Sequence, residues 1–91
     1  MELMIQFQGF CESPWMKEYL EGRLARLERY LGSGAEIVVR LSSQGDRCTS
    51  ELFITTPRHE CSFRRDGMDL FEAFTGVLEE ATRILRRDHQ R

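Results

Sequence analysis

Ninety-one residues suffice for one hydrophobic core and not for two. A hydrophobic fraction of 41% fits an ordinary globular chain, and no apolar run nears the roughly 20 residues needed to cross a bilayer. Thirteen Lys and Arg against fifteen Asp and Glu leave a net charge of -2, which taken as a sum argues against a nucleic-acid binder, so the distribution of charge becomes the question.

The opening Met-Glu-Leu-Met-Ile-Gln has neither a basic region nor a cleavage site, so it does not read as a signal peptide, and the expected location is the cytoplasm. Leu3, Ile5 and Phe7 alternate with Met4, Gln6 and Gln8, the period of a strand with one buried face. Residues 9–12 read as a loop. Ser13-Pro14 is a helix entry, with serine as N-cap and proline at the first helical position, where no amide donor is missed. The spacing predicts a helix from there to about Leu31, ended by Gly32 and Gly34. Met16, Leu20, Leu24, Leu27 and Leu31 make its apolar stripe. Arg23, Arg26 and Arg29 fall along one flank beside Trp15 and Tyr19, and Glu21 and Glu28 fall on the other.

Ile37, Val39 and Leu41 mark a second strand, and Gln44-Gly45-Asp46 a turn. A third strand carries Leu52 and Ile54 inward, with Glu51, Phe53 and Thr55 outward. Thr56-Pro57-Arg58 turns into a short fourth strand around Cys61 and Phe63. Asp69-Leu70-Phe71-Glu72 has the spacing of a capping box for a second helix. That helix buries Phe71, Phe74, Val77, Leu78, Ala81, Ile84 and Leu85, and exposes Glu72, Glu79, Arg83 and Arg86. The order β-α-β-β-β-α predicts a two-layer α/β sandwich: a four-stranded mixed sheet, its first two strands parallel, with two helices on one face. Side by side, those helices would bring both arginine sets onto one surface.

Catalytic chemistry is missing from this pattern. There is no phosphate-binding glycine loop, no Gly-x-Ser-x-Gly and no histidine pair at metal spacing. Glu79 and Glu80 are neighbours on a helix and point apart. His59 with Cys61 reads as a surface histidine and a small core thiol before it reads as half a metal site. Cys11, Cys48 and Cys61 are odd in number and lack a Cys-x-x-Cys pair, which disfavours a disulfide framework. With a turn at Pro57, Cys61 falls opposite Ile54 and away from Cys48. No enzyme activity, cofactor, metal or small-molecule substrate is expected.

The arginines remain. Twelve of the thirteen basic residues are arginine, whose planar fork grips two phosphate oxygens and stacks on bases. Helix-dipole logic by itself explains acids first and arginines last on the second helix. It does not explain Arg23 and Arg26 in the body of the first.

The segment Ser13–Leu31, above all its ending Leu24-Ala25-Arg26-Leu27-Glu28-Arg29-Tyr30-Leu31, resembles the first helix of bacterial ribosome hibernation-promoting factors, also called ribosome-associated inhibitor or sigma-54 modulation proteins. Gly67-Met68-Asp69-Leu70-Phe71-Glu72-Ala73-Phe74 resembles a second motif of that family, and Arg83-Ile84-Leu85-Arg86-Arg87 falls on its basic helix ending. The resemblance spans essentially the whole chain, taken as one domain over residues 1–91. It implies a double-stranded-RNA-binding-like fold and a non-enzymatic stress factor. Such a factor docks on the small ribosomal subunit in the messenger and transfer RNA channel, inhibiting translation and preserving idle ribosomes. Lys17, Arg23, Arg26, Arg83, Arg86 and Arg87 match the family's basic positions. With Arg29 and Arg91 they form the expected RNA-binding set, which neutralises ribosomal RNA phosphates and does not read bases. Glu80 in place of a common lysine, Thr75 in place of aspartate and Phe71 in place of tyrosine depart from the pattern. The end of the chain after the second helix suggests a short-form member, or a diverged paralogue of weaker ribosome affinity. The alternative expectation is a protein-interaction module acting through an exposed sheet face or edge, seeded by Val38 and Phe53.

Overall fold

The computed structural model describes residues 1–9 and 13–89, so the 10–12 part of the expected loop and Arg91 lie outside the described residues. The strands are β1 (Glu2–Gln8), β2 (Glu36–Gln44), β3 (Arg47–Thr55) and β4 (Glu60–Gly67), and the helices α1 (Pro14–Ala25), α2 (Glu28–Leu31) and α3 (Leu70–His89). The sheet order is β1-β2-β3-β4. β1 runs parallel to β2, and the β2-β3 and β3-β4 pairs are antiparallel. This is the expected four-stranded mixed sheet.

Alternation decides which side of the sheet is covered. Ile37, Val39 and Leu41 on β2 and Leu52 and Ile54 on β3 face the helices, where they meet Leu20, Leu24, Leu27, Phe74 and Val77; all ten are at most 1% exposed. Burying each such side chain contributes about 1.5–3 kcal/mol. Ser50, on the same inward face, is buried without a protein hydrogen-bond partner for its hydroxyl. On the other face Val38 sits opposite Phe53, and Arg40 lies over the Phe53 ring at 5.4 Å. Edge strand β4 carries Arg64, Arg65 and Asp66, charges that discourage a further strand from pairing there.

Both helix entries follow their sequence signals. Ser13 Oγ accepts the Met16 amide at 3.3 Å, and Asp69 Oδ1 accepts the Glu72 amide at 2.8 Å. Gly32, at φ 83°, ends α2 in a conformation that side-chain-bearing residues rarely adopt. Gly67 serves a different purpose. Where β4 meets the start of α3, a Cβ on Gly67 would stand 2.7 Å from the Ala73 nitrogen and 3.1 Å from Glu72 Cβ. Gly67→Ala is therefore expected to lower stability by about 1–3 kcal/mol, by forcing strand and helix apart. Urea unfolding would show the shift in midpoint.

Three expectations need correction. The first helix does not run unbroken to Leu31: it stops at Ala25, and a tight turn leads into α2. The Leu27 amide bonds Leu24 O at 3.0 Å and the Tyr30 amide bonds Leu27 O at 2.9 Å, both three residues back. Tightening brings residues three apart onto one line, so Leu24 and Leu27 stay in the core, at 0% and 1% exposure, although the regular hydrogen-bond ladder is interrupted between them. Second, Phe71 does not join the buried stripe of α3 but is 40% exposed, and Ile84 is only half-buried. Leu70, Ala73 and Phe74 take the core side of the first turn of α3, and Phe71, at the margin of the stripe, turns to the rings of Trp15 and Tyr19. Third, the fourth strand is not short: it pairs with β3 over eight residues, from Cys48↔Gly67 to Thr55↔Glu60.

Candidate nucleic-acid interface

The sheet topology makes α1 and α3 run the same way. Rings at the start of α1 touch the start of α3, with Trp15 and Phe71 centroids 6.1 Å apart; at the far end Tyr30 meets His89 at 5.8 Å. The C-terminal ends of both helical segments therefore lie together. Each carries roughly half a negative charge from its unsatisfied carbonyls, a local field that favours cations.

Between them lies a groove of ≈ 480 Å³. Arg23 and Arg26 reach it from α1 and the turn after it, Arg29 from α2, and Arg83 and Arg86 from α3, over a floor that includes Leu27 and Leu78. These five cations come from segments about 60 residues apart in sequence. Among the described residues, no ion pair involves any of the five. Unpaired guanidinium groups in one concavity repel one another, and a polyanion relieves that repulsion. Glu79 also lines the groove and tempers its field.

Tyr30 organises the cationic end. Its hydroxyl accepts a hydrogen bond from Arg86 Nε at 3.5 Å, and the Arg29 guanidinium lies 5.4 Å above its ring. The Arg86 hydrogen bond holds the Tyr30 hydroxyl below the usual tyrosine range; desolvation opposes this, and the charges of Arg29 and Arg86 add to it. From sequence, Tyr30 could either edge the core or stack on a base; its support of Arg29 and Arg86 was not foreseen, although Arg29 and Tyr30 are neighbours in the chain. Trp15, Tyr19 and Phe71 form a further cluster that sequence reasoning did not assemble.

The remaining expected residues lie elsewhere. Arg87 pairs with Asp88 at 3.6 Å and does not line the groove. Lys17 is exposed on α1, also outside the groove lining. Arg91 is beyond the described residues. Glu80, the departure noted in the sequence, turns away from the groove to receive Arg65 Nε at 2.7 Å, tying α3 to β4. Acid at this position thus serves the fold and leaves the groove's charge untouched.

Cys48 is buried and unbridged, and Cys61 sits opposite Ile54 as its spacing required. Burial pushes the Cys61 thiol above its ordinary range, with a smaller contribution from Asp88, so it is a poor nucleophile. Among the described residues no group of three or more His, Cys, Asp or Glu is placed to hold a metal. Among the described residues no helix is long and apolar enough to cross a membrane.

The N-terminal domain of Protein Y from Thermus thermophilus has a similar fold. It superposes with a TM-score of 0.85 at 22% identity, covering 96% of this chain and 98% of that one. A ribosomal subunit interface protein from Coxiella burnetii superposes with a TM-score of 0.81 at 14% identity, over 100% of each chain. At these identities the likeness is one of fold. No curated protein sequence matches the chain. The family model described as sigma 54 modulation protein / S30EA ribosomal protein matches residues 3–91, and the chain belongs to that family.

Proposed function

We propose that residues 1–91 act as one ribosome-binding domain, a stress factor that docks on the small ribosomal subunit in the messenger and transfer RNA channel. There it would inhibit translation and preserve idle ribosomes in the cytoplasm. Members of this family are non-enzymatic factors, so binding is the activity to explain. The observation that carries the proposal is the groove, where five arginines from the three helices and the turn between α1 and α2 converge without a carboxylate partner among the described residues.

The groove suits folded RNA on physical grounds. Phosphates of a folded RNA are closely spaced, and each guanidinium can hold two oxygens of one phosphate. The parallel helices hold the cations on rigid elements, so little side-chain entropy is lost beyond that of the arginines. Contacts of this kind orient the protein and do not depend on base identity.

Salt dependence tests the proposal. With about five phosphate contacts, log affinity for small subunits should fall against log salt with a slope of roughly -3.5 to -4.5. Co-sedimentation through a salt series measures it. Affinity that ignores salt would remove the cationic groove from the mechanism.

A further inference from the structure

At the N-terminal end of the same helix pair, three aromatic rings lie together in solvent. Trp15 is 61% exposed, Phe71 40% and Tyr19 36%. Trp15 and Phe71 are nearly parallel, at 16°, and Tyr19 meets both edge-on, at 6.2 and 5.7 Å. Met68, 81% exposed, precedes α3 by two residues. A ring cluster needed only for the core would be covered, yet this one leaves much of Trp15 uncovered. Arg23 joins it to the groove: its guanidinium stands 5.9 Å from the Tyr19 ring while its side chain lines the groove wall. Aromatic platform and cationic track are therefore continuous along one surface, one helical turn apart at Tyr19 and Arg23.

We propose that Trp15, Tyr19 and Phe71 form a stacking platform for an unpaired base of single-stranded RNA whose phosphates follow the groove arginines. The proposal rests on the groove being an RNA site and adds to it the class of RNA: a strand with free bases, not only a duplex. The chemistry is that of single-strand binders, where cations track the backbone and exposed rings take the π-faces of successive bases. Every base has such a face, so the platform tolerates any sequence. A duplex offers the same phosphates but keeps its bases stacked on one another, out of reach of the rings. Arg23, packed against Tyr19, adds a cation to the edge of the platform where phosphate and base meet.

Trp15 is the only tryptophan in the chain and reports directly on its own stacking. The full chain is titrated with a short oligoadenylate and, separately, with an RNA duplex of equal length, following Trp15 emission and, by anisotropy of labelled RNA, affinity. The expected result is quenching by the single strand and little by the duplex. Phe71→Ala and Tyr19→Ala, at exposed positions, should weaken single-strand binding by about 10-fold and leave duplex affinity unchanged. Circular dichroism of both variants confirms that they fold. Equal quenching by both RNAs, or single-strand affinity indifferent to both substitutions, would overturn the platform while leaving the groove intact. Loss of ribosome co-sedimentation in Phe71→Ala with RNA affinities unchanged would overturn it in favour of a protein contact. Binding of neither RNA would sink the groove as an RNA site, and the platform with it.

Discussion

Glutamate at Arg26, Arg29, Arg83 and Arg86 together is expected to reduce affinity for small ribosomal subunits by at least about 10³-fold. A hydrogen bond to a charged group contributes about 1.5–3 kcal/mol. Four such contacts would exceed the loss stated even after screening, and the reversed charges add repulsion from phosphate. The fold should survive. All four side chains are exposed and none is ion-paired among the described residues. The cost to stability is the unfavourable placement of acids near helix C-terminal ends, about 1–2 kcal/mol in total. Lysine at the same four positions is the informative control. It keeps the charge but gives up the planar fork, so affinity should fall far less than in the glutamate variant. Co-sedimentation read beside thermal unfolding separates the two effects. Unchanged ribosome binding in the glutamate variant would place the contact on another surface.

Leu27→Ala is expected to cost about 2–5 kcal/mol of stability. Leu27 is 1% exposed and sits at the turn between α1 and α2, where its carbonyl takes the Tyr30 amide at 2.9 Å. Removing its side chain leaves a void under that turn. In a domain of this size, 2 kcal/mol already corresponds to a fall in melting temperature of about 10 °C. The effect should reach function, because the same turn aims Arg26 and Arg29 into the groove and sets Tyr30 against Arg86. Ribosome affinity should therefore fall at temperatures where the variant remains folded. Leu27→Met, which conserves volume, should cost under about 1.5 kcal/mol and leave binding near that of the parent chain. A destabilised Leu27→Ala variant with full affinity would show that the turn does not position the arginines.

Much of this architecture was legible residue by residue. Alternation along Leu3–Phe7, Ile37–Leu41 and Leu52–Ile54 identified the inward face of each strand, and Ser13-Pro14 and Asp69 announced both helix starts. Such signals are local. A period of two or 3.6 records which side of one element is buried, and a cap records one amide and its acceptor. The arginines at 23–29 and 83–87 could likewise be read as two basic runs, each on its own helix.

That the two runs share one surface followed from the expected topology; that five of these arginines line one groove while Arg87 turns aside to Asp88 did not. The shared surface depends on the parallel β1-β2 crossover and on the direction in which β4 delivers α3. Periodicity also missed the break after Ala25, because regular and tight turns both bury leucines three or four residues apart, and only the shape of the core selects between them. It misjudged Phe71, which lies at the margin of the stripe set by Leu70, Ala73 and Phe74, and whether a margin position is covered depends on the neighbouring helix. Glu80 shows the converse, since its partner Arg65 lies across the sheet-helix interface on a different element. The sequence by itself determined the order of strands and helices, the inward face of the strands and the family to which the chain belongs. Only the tertiary structure decided which cations share a groove, which stay unpaired, and where aromatic rings remain in solvent, because those are relations between side chains distant in sequence that exist only once the elements pack.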